Sequence, residues 1–467
     1  MAIVVVLLAL LIGSILFYFL SPWHLTPLAS NWGSIDGTIQ ITWIVTGLVF
    51  AAVNLFLVYA IIRYRYRRDR RASYQPEDKK LEYWLTGLTA VGISALLAPG
   101  LFVWGRFVNV PADAHIVEAV GQQWNWRFRF PGEDGAFGRV STALVSADNP
   151  FGMDPDDPLG RDDVLVDAPK VVLPVDQPVR VMLRSQDVIH NFQVAQFRAK
   201  MDLVPGQVSY FWFTPTRKGD FEILCAELCG VGHFAMRGKV EVAEPDRFED
   251  WLSEKPTYRD VRSRDGGDPA AGEARYAPCA GCHGPKGQGM RETGAPKLAG
   301  QSPWYLIRQL QHFKSGLRGT HEADTRGQQM RPFARTLPDY EAMADVVAYI
   351  GTFPDKAPAR TLSGDSDRGE RLYDTCAACH GAQGQGDHQS NAPRLAGLSD
   401  WYLKRQLEKF QAGIRGGHPD DMYGWQMVEM AKVLVDESGI RDVVSHITTL
   451  PRKQTTVADA SDAGRSE

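Results

Sequence analysis

At 467 residues the chain has room for about three soluble domains of roughly 100–200 residues each, which excludes a single fold as an account of the whole. The 51 basic and 55 acidic side chains leave a formal net charge of -4, with no polybasic signature of the kind that neutralises phosphates, so nucleic acid is removed from the expected partners. The six cysteines fall in three close pairs, Cys225 with Cys229, Cys279 with Cys282 and Cys376 with Cys379, and such a set serves as disulfides in an exported chain or as ligands anywhere.

Residues 2–20 ("AIVVVLLALLIGSILFYFL") are apolar throughout, with no Lys or Arg and no small-residue cleavage site. They read as an extra transmembrane helix over 1–22 in preference to a signal peptide, and both readings stay open. Residues 41–62 and 83–105 are each more than 20 residues long without an acid or a Lys and with enough apolar length to cross about 30 Å of hydrocarbon. They define a transmembrane hairpin over 38–108. The loop between them, "RYRYRRDRRASYQPEDKK", carries eight Arg/Lys against three acids, and the positive-inside rule places it in the cytoplasm. Everything after Arg106 then lies on the outer, oxidising side.

Residues 109–245 read as a β-rich domain: "AHIVEAVGQQWNWRFRF", "VVLPVDQPVRVMLRS", "VSYFWFTP" and "RGKVEVA" alternate or run in valine and aromatic residues between turn residues. The stretch 131–165, rich in Gly, Asp and Pro, reads as a surface loop, and 246–266 as a linker with one short helix near "DRFEDWLSE". Beyond it lies an internal repeat. "YAPCAGCHG" matches "YDTCAACHG", "APKLAG" matches "APRLAG", and "WYLIRQL" matches "WYLKRQL", all displaced by 97 residues. Two mostly helical domains follow, over 267–355 and 362–452, and then a tail over 453–467 expected to be disordered.

C-x-x-C-H is the attachment signature of c-type haem, in which two thiols bind the porphyrin and the adjacent histidine ligates iron. It occurs twice, with Cys279, Cys282 and His283 in the first copy and Cys376, Cys379 and His380 in the second. The sixth ligands are assigned to Met330 and Met427. These are methionines that align between the copies, each 47 residues after its histidine, and both sit in what reads as Gly/Gln-rich loop sequence. Methionine opposite histidine raises haem potential and suits an electron carrier.

"CAELCGVGHFAM", residues 225–236, gathers Cys225, Glu227, Cys229, His233 and Met236. A disulfide would leave the histidine and methionine without a reason, and zinc rarely recruits a thioether. Thiolate, imidazole and thioether together point to copper, and two thiolates four residues apart could bridge two ions. His190, in "SQDVIHNF", supplies a second imidazole.

These motifs, with "QWNW" and "AKMDLVPG" in the same order and two spans flanking a basic loop, resemble subunit II of the cytochrome c oxidases over residues 35–250. The haem repeat resembles cytochromes c fused behind that subunit, as in caa3-type oxidases. The resemblance implies a cupredoxin-like β-barrel behind transmembrane α-helices, followed by two all-α cytochrome c domains. It implies a dinuclear copper centre, CuA, held by His190, Cys225, Cys229, His233, Met236 and the Glu227 carbonyl. The Glu227 carboxylate would reach a magnesium or manganese ion shared with subunit I. Trp124 would be the aromatic through which electrons enter, and Asp187 and Asp202 would orient the copper loops. Glu82 stands two residues before Trp84 where the family often has a glutamate three before, so the resemblance gives it no firm role. The implied partners are subunits I and III, an upstream cytochrome c or bc1-type donor and membrane lipid. The implied location is a bacterial inner membrane, with the copper and haem domains in the periplasm. The expected function is to pass electrons from two covalent haems c through CuA to an oxygen-reducing, proton-translocating subunit. A nitrous-oxide reductase would need a histidine-rich catalytic domain, and the chain has only 11 histidines. The electron-input subunit of a CuA-type nitric oxide reductase and a stand-alone membrane-anchored carrier remain as rival classes.

Overall fold

The computed structural model describes residues 2–21, 26–71, 74, 76–146, 148–264 and 266–452; the tail read as disordered lies outside them. Three helices, α1 (Ala2–Leu20), α2 (Gly33–Arg63) and α3 (Lys79–Val108), are long and apolar enough to cross a membrane. The latter two exceed the expected apolar cores because each extends into a polar turn. Asp78 caps α3 by accepting from the Leu81 amide, and Arg63 closes α2 at the basic-loop end, complementing the helix dipole.

The opposite ends of α2 and α3 meet the β-domain. Trp32, fully buried, donates from its indole to the Trp212 carbonyl at 2.8 Å, and Trp212 donates to the carbonyl of Arg106 at 3.2 Å. Arg198 reaches Asp36 at 2.6 Å. These contacts set the β-domain at the end of the hairpin away from the basic loop.

Ten strands follow: β1 (His115–Gln122), β2 (Asn125–Phe130), β3 (Val164–Val166), β4 (Lys170–Pro174), β5 (Val179–Ser185), β6 (His190–Val194), β7 (Ala199–Leu203), β8 (Ser209–Phe213), β9 (Gly219–Cys225) and β10 (Arg237–Ala243). They form two five-stranded sheets, ordered β3-β2-β1-β5-β8 and β4-β10-β9-β6-β7, in a cupredoxin-like barrel. The alternation in "NWRFRF" sends Trp126, Phe128 and Phe130 into the aromatic core with Phe192, Phe211 and Phe221.

The other face of β2 is expected to be solvated, yet Arg127 and Arg129 are buried too. Arg129 pairs with Glu118 at 2.9 Å and Asp163 at 3.0 Å, and Arg127 with Asp167 at 2.6 Å. Buried guanidinium groups persist only with such partners. The stretch read as a surface loop supplies much of this cover: Phe151, Met153 and Asp163 are all buried within it.

The segment read as a linker is also packed down. It holds α4 (Pro245–Ser253) and α5 (Tyr258–Arg262); Phe248 and Trp251 enter the barrel core, and Thr257 caps α5 while bridging to Val164. Only a few residues near Gly266 connect barrel and repeat without a helix of their own.

Each copy of the repeat has four helices: α6 (Pro269–His283), α7 (Pro303–Ser315), α8 (Thr325–Arg335) and α9 (Tyr340–Gly351), then α10 (Ser366–His380), α11 (Asp400–Gln411), α12 (Met422–Ala431) and α13 (Glu437–Ile447). Met330 and Met427 therefore stand on helices α8 and α12, which corrects the loop reading. Each of these helices is started by an aspartate: Asp324 accepts from the Gly327 amide at 3.0 Å and Asp421 from Gly424 at 2.9 Å. A Cβ on Gly327 would lie 2.1 Å from Asp324 Oδ2, so the glycine that suggested a loop is what lets the cap close.

Candidate metal and haem sites

The copper-loop donors converge because β6 and β9 are neighbours. β9 ends on Cys225, whose sheet partner Phe192 lies two residues past His190, and the Ala226 amide donates to the Asn191 carbonyl at 3.0 Å. The chain then loops through Cys229 and a short 3-10 turn (His233–Ala235) and returns as β10 directly after Met236.

Cys225 Sγ lies 3.9 Å from His190 Nδ1 and 3.7 Å from Cys229 Sγ; Cys229 Sγ lies 3.6 Å from His233 Nδ1 and 3.8 Å from Met236 Sδ. The Glu227 carbonyl is 3.2 Å from Cys225 Sγ, while the side chain of Glu227 is exposed. The sulfur separation is far beyond a covalent S–S bond of about 2.05 Å, and all six cysteines are free. Of these donors His190, Cys225, Cys229 and Met236 are buried.

Two thiols this close cannot both ionise unaided. Hydrogen bonding from Cys229, then from His190, pulls Cys225 strongly below its usual range, and the resulting thiolate together with burial drives Cys229 upward. A pair of cations between them would relieve that conflict. The donor set of two soft sulfurs, two imidazoles, a thioether and a carbonyl fits a dinuclear copper centre.

Asp187 supports the site directly. Its carboxylate meets His190 Nε2 at 2.8 Å and accepts from the Gln123 amide at 2.6 Å, leaving Nδ1 for the metal side. Burial raises its pKa, but these hydrogen bonds outweigh that and hold it below the usual carboxylate range. Asp202 acts one residue further off, accepting from Asn191 Nδ2 at 2.6 Å.

Trp124 is buried and donates to the Cys229 carbonyl at 2.9 Å, joined there by Gln123 at 2.8 Å. Gly232 lies against the indole so closely that a Cβ would sit 2.5 Å from Trp124 Cδ2. Glu82 lies in the first turn of α3, exposed and remote from these groups.

In the repeat, one continuous cavity is lined by Cys279, Cys282, His283 and Met330 together with Cys376, Cys379, His380 and Met427. His283 Nδ1 is 2.9 Å from the Pro296 carbonyl and His380 Nδ1 is 2.8 Å from that of Pro393. Each ring must donate there, which fixes the tautomer with the Nε2 lone pair free for iron. Burial lowers both histidine pKa values, favouring the neutral ligand form. Met430, which the repeat alignment passed over, also lines the cavity one helical turn from Met427; the first copy has Phe333 in its place.

The cavity's polar groups obey the repeat across the domain boundary. Arg318 donates to Tyr402 Oη at 3.3 Å and Gln406 at 3.1 Å; its counterpart Arg415 donates to Tyr305 Oη at 2.7 Å and Gln309 at 3.2 Å. Neither arginine has a carboxylate among these partners, and haem carries two. Thiols, imidazoles, thioethers and cations thus fit a pair of covalent haems. The arginines were readable in advance, since both lie at the 97-residue displacement, but residue type alone gave no reason to choose them.

The second copy of the repeat sits on the β-barrel. Gln426, adjacent to Met427, donates to the Trp124 carbonyl at 2.7 Å and to that of Ala235 at 3.2 Å. The Gln389 carbonyl accepts from Asn125 at 2.8 Å and Arg127 at 2.9 Å, and Gln122 donates to its side chain at 2.9 Å. Asp420 pairs with Lys170 at 3.0 Å and Lys239 at 3.2 Å. No sequence signal marked Gln122, Gln389 or Gln426, because uncharged amides acquire meaning only from what they face.

Residues 115–243 match the family model for the periplasmic domain of cytochrome c oxidase subunit II, and residues 269–354 and 366–451 each match that for cytochrome c. The chain is 51% identical to the alternative cytochrome c oxidase subunit 2 of Bradyrhizobium diazoefficiens over 264 residues, which is 56% of this chain and 95% of the relative. It is 38% identical to cytochrome c4 of Thiocapsa roseopersicina over 167 residues, 33% of this chain and 81% of the relative. Among solved structures, reduced cytochrome c4 from Pseudomonas stutzeri is similar at 28% identity and TM-score 0.32, covering 40% of this chain and all of that one.

Proposed function

Because the chain belongs to the cytochrome c oxidase subunit 2 family, we propose that it is the electron-input subunit of a terminal haem-copper oxidase in a bacterial inner membrane, with its copper and haem domains on the periplasmic side. The bound groups, two haems c and a dinuclear CuA centre, supply the one-electron chemistry. Reduction of oxygen to water and proton translocation belong to subunit I.

The chain's own residues hold and insulate those groups. Cys279, Cys282, His283 and Met330 hold the first haem, and Cys376, Cys379, His380 and Met427 the second. His190, Cys225, the Glu227 carbonyl, Cys229, His233 and Met236 hold copper, with Asp187 fixing the His190 ring. Trp124 bridges the copper loop and the second haem domain, through its indole on Cys229 and its carbonyl on Gln426. That shared, buried contact is the observation that carries the proposal.

Glu227 stands exposed beside Leu228 and Val231, which are 77% and 57% exposed. An apolar tip with one carboxylate suits burial against subunit I, where the carboxylate would meet a magnesium or manganese ion. Subunit III, a cytochrome c or bc1-type donor and lipid complete the proposed surroundings.

The test is the optical and EPR spectrum of the purified complex. Two low-spin haems c per mixed-valence copper pair are expected, together with a co-purifying subunit that carries its own haem. Cys225→Ser or Cys229→Ser should abolish the copper signal and leave the haem bands. A complex that reduces nitric oxide and not oxygen would overturn the assignment.

A further inference from the structure

The repeat gives two copies of one haem-domain face, and the fold covers only the second. There Cys379 packs against the aromatic cluster that includes Trp124, while Gln389, Asp420 and Gln426 bond to the barrel. Their counterparts 97 residues earlier, Cys282, Glu292, Ala323 and Gln329, are all exposed. Phe333, one turn past Met330 on α8, is 41% exposed on the same domain.

The two faces also differ in charge. On the covered face, an aspartate of the haem domain meets two lysines of the barrel. Around Cys282 the first domain instead carries Lys286, Arg291 and Arg326, all exposed, against Glu292 and Glu322. At the three cation positions the second copy has Gln383, His388 and Tyr423. A barrel-like surface with a basic rim would be repelled from the first face, and an acidic one attracted.

We propose that the exposed Cys282 face of the first haem domain is the docking surface for the external electron donor, a reduced one-electron carrier protein with an acidic rim. The second domain, sealed on Trp124, takes no external donor. The order is then donor, first haem domain, second haem domain, copper domain. At docking one electron leaves the donor's reduced metal centre and enters the haem iron held by His283. The donor is oxidised by one equivalent, the iron goes from ferric to ferrous, and no proton or covalent group moves. This rests on the oxidase-subunit reading for its direction of flow.

Hydrogen exchange of the full, haem- and copper-loaded chain tests it, with an acidic-surface soluble c-type cytochrome as probe and a basic-surface one as control. The acidic probe should slow exchange about fivefold or more across 286–293 and 326–333. Segments 387–390 and 422–427 should already be slow in the free chain and should not change. Lys286→Glu with Arg291→Glu should cut the bimolecular rate of haem reduction by the acidic probe about tenfold at low salt, while reduction by a small uncharged reductant stays as in the wild type. Protection by the probe at 387–390 and 422–427, an unchanged rate in the reversed variant, or faster reduction by the basic probe would each overturn the proposal. None of these measurements involves oxygen or subunit I. The oxidase reading fails separately, by loss of the copper signal or of the partner subunit.

Discussion

The proposed copper loop and the proposed haem sites would each hold a redox centre away from water, by different constructions. In the loop the donors touch one another, with sulfur-to-sulfur and sulfur-to-nitrogen separations of 3.6–3.9 Å set by the register of two strands. In the haem domains the thiols, histidine and methionine of each copy stand around a cavity shared by both copies. The barrel therefore carries its own aromatic core, to which a bound copper centre would add function and not packing. A haem domain must count its prosthetic group as part of its core.

The second domain's buried apolar clusters make the point: one of eight residues and one of only three, a divided and small core for a domain of about 90 residues. Cys376→Ala with Cys379→Ala should consequently abolish that domain's cooperative unfolding transition and most of its helical circular dichroism. The barrel's transition should persist. Retention of the helical signal without covalent haem would remove the contrast.

Breaking the loop is expected to cost less. Gly232→Ala forces a Cβ to 2.5 Å from the Trp124 indole, and overpacking of this kind costs about 1–3 kcal/mol. The denaturant midpoint of the barrel should fall accordingly, with copper still bound. An unchanged midpoint would mean that the indole is not held between Gly232 and the Cys229 carbonyl.

Asp187→Asn sharpens the comparison from the ligand side. The amide keeps the hydrogen bond in size but not in charge, and loss of such a support typically lowers metal affinity about 10- to 100-fold. Competition with a chelator measures this, and the fold should be intact by circular dichroism. No comparable support exists for His283 and His380, whose partners are backbone carbonyls, so side-chain substitution cannot remove theirs.

The same contrast explains what could be read from the amino-acid order. C-x-x-C-H and the run from Cys225 to Met236 stood out because their candidate donors lie within 12 residues, and short spacing leaves the chain few ways to arrange them; His190, 35 residues before Cys225, joins them only through the pairing of two strands. Met330 and Met427 were found through the repeat, but their helices were not, since Gly327 and Gly424 read as loop residues until Asp324 and Asp421 are seen to need them. Phe151 and Met153 vanish into the protein because a polar stretch folds over Arg129, a long-range event that no local pattern records. The seating of the second domain rests on Gln389 and Gln426, whose partners lie 191–302 positions away. Local chemistry was written in short motifs; the assembly of domains was not.

That assembly has a weak point at Asp167, where barrel and first haem domain meet. Its carboxylate receives Arg127 at 2.6 Å and Arg308 at 3.4 Å. Burial alone would raise its pKa, but the two guanidinium groups outweigh burial and hold it at about 2. A carboxyl depressed in the folded protein contributes stability that is fully present above its unfolded pKa of about 3.9 and is lost as pH falls through about 2. With a third of the side chain exposed, solvent screening limits the contribution to about 2 kcal/mol or less. Acidification from about pH 4 to 2 should therefore loosen this junction, and Asp167→Asn should remove that part of the acid dependence. Haem quenching of barrel tryptophan fluorescence, followed against pH, reads the separation. If the variant and wild type lose quenching at the same pH, Asp167 does not tie the first haem domain to the barrel, and that domain is held there through the second, seated by Gln389 and Gln426.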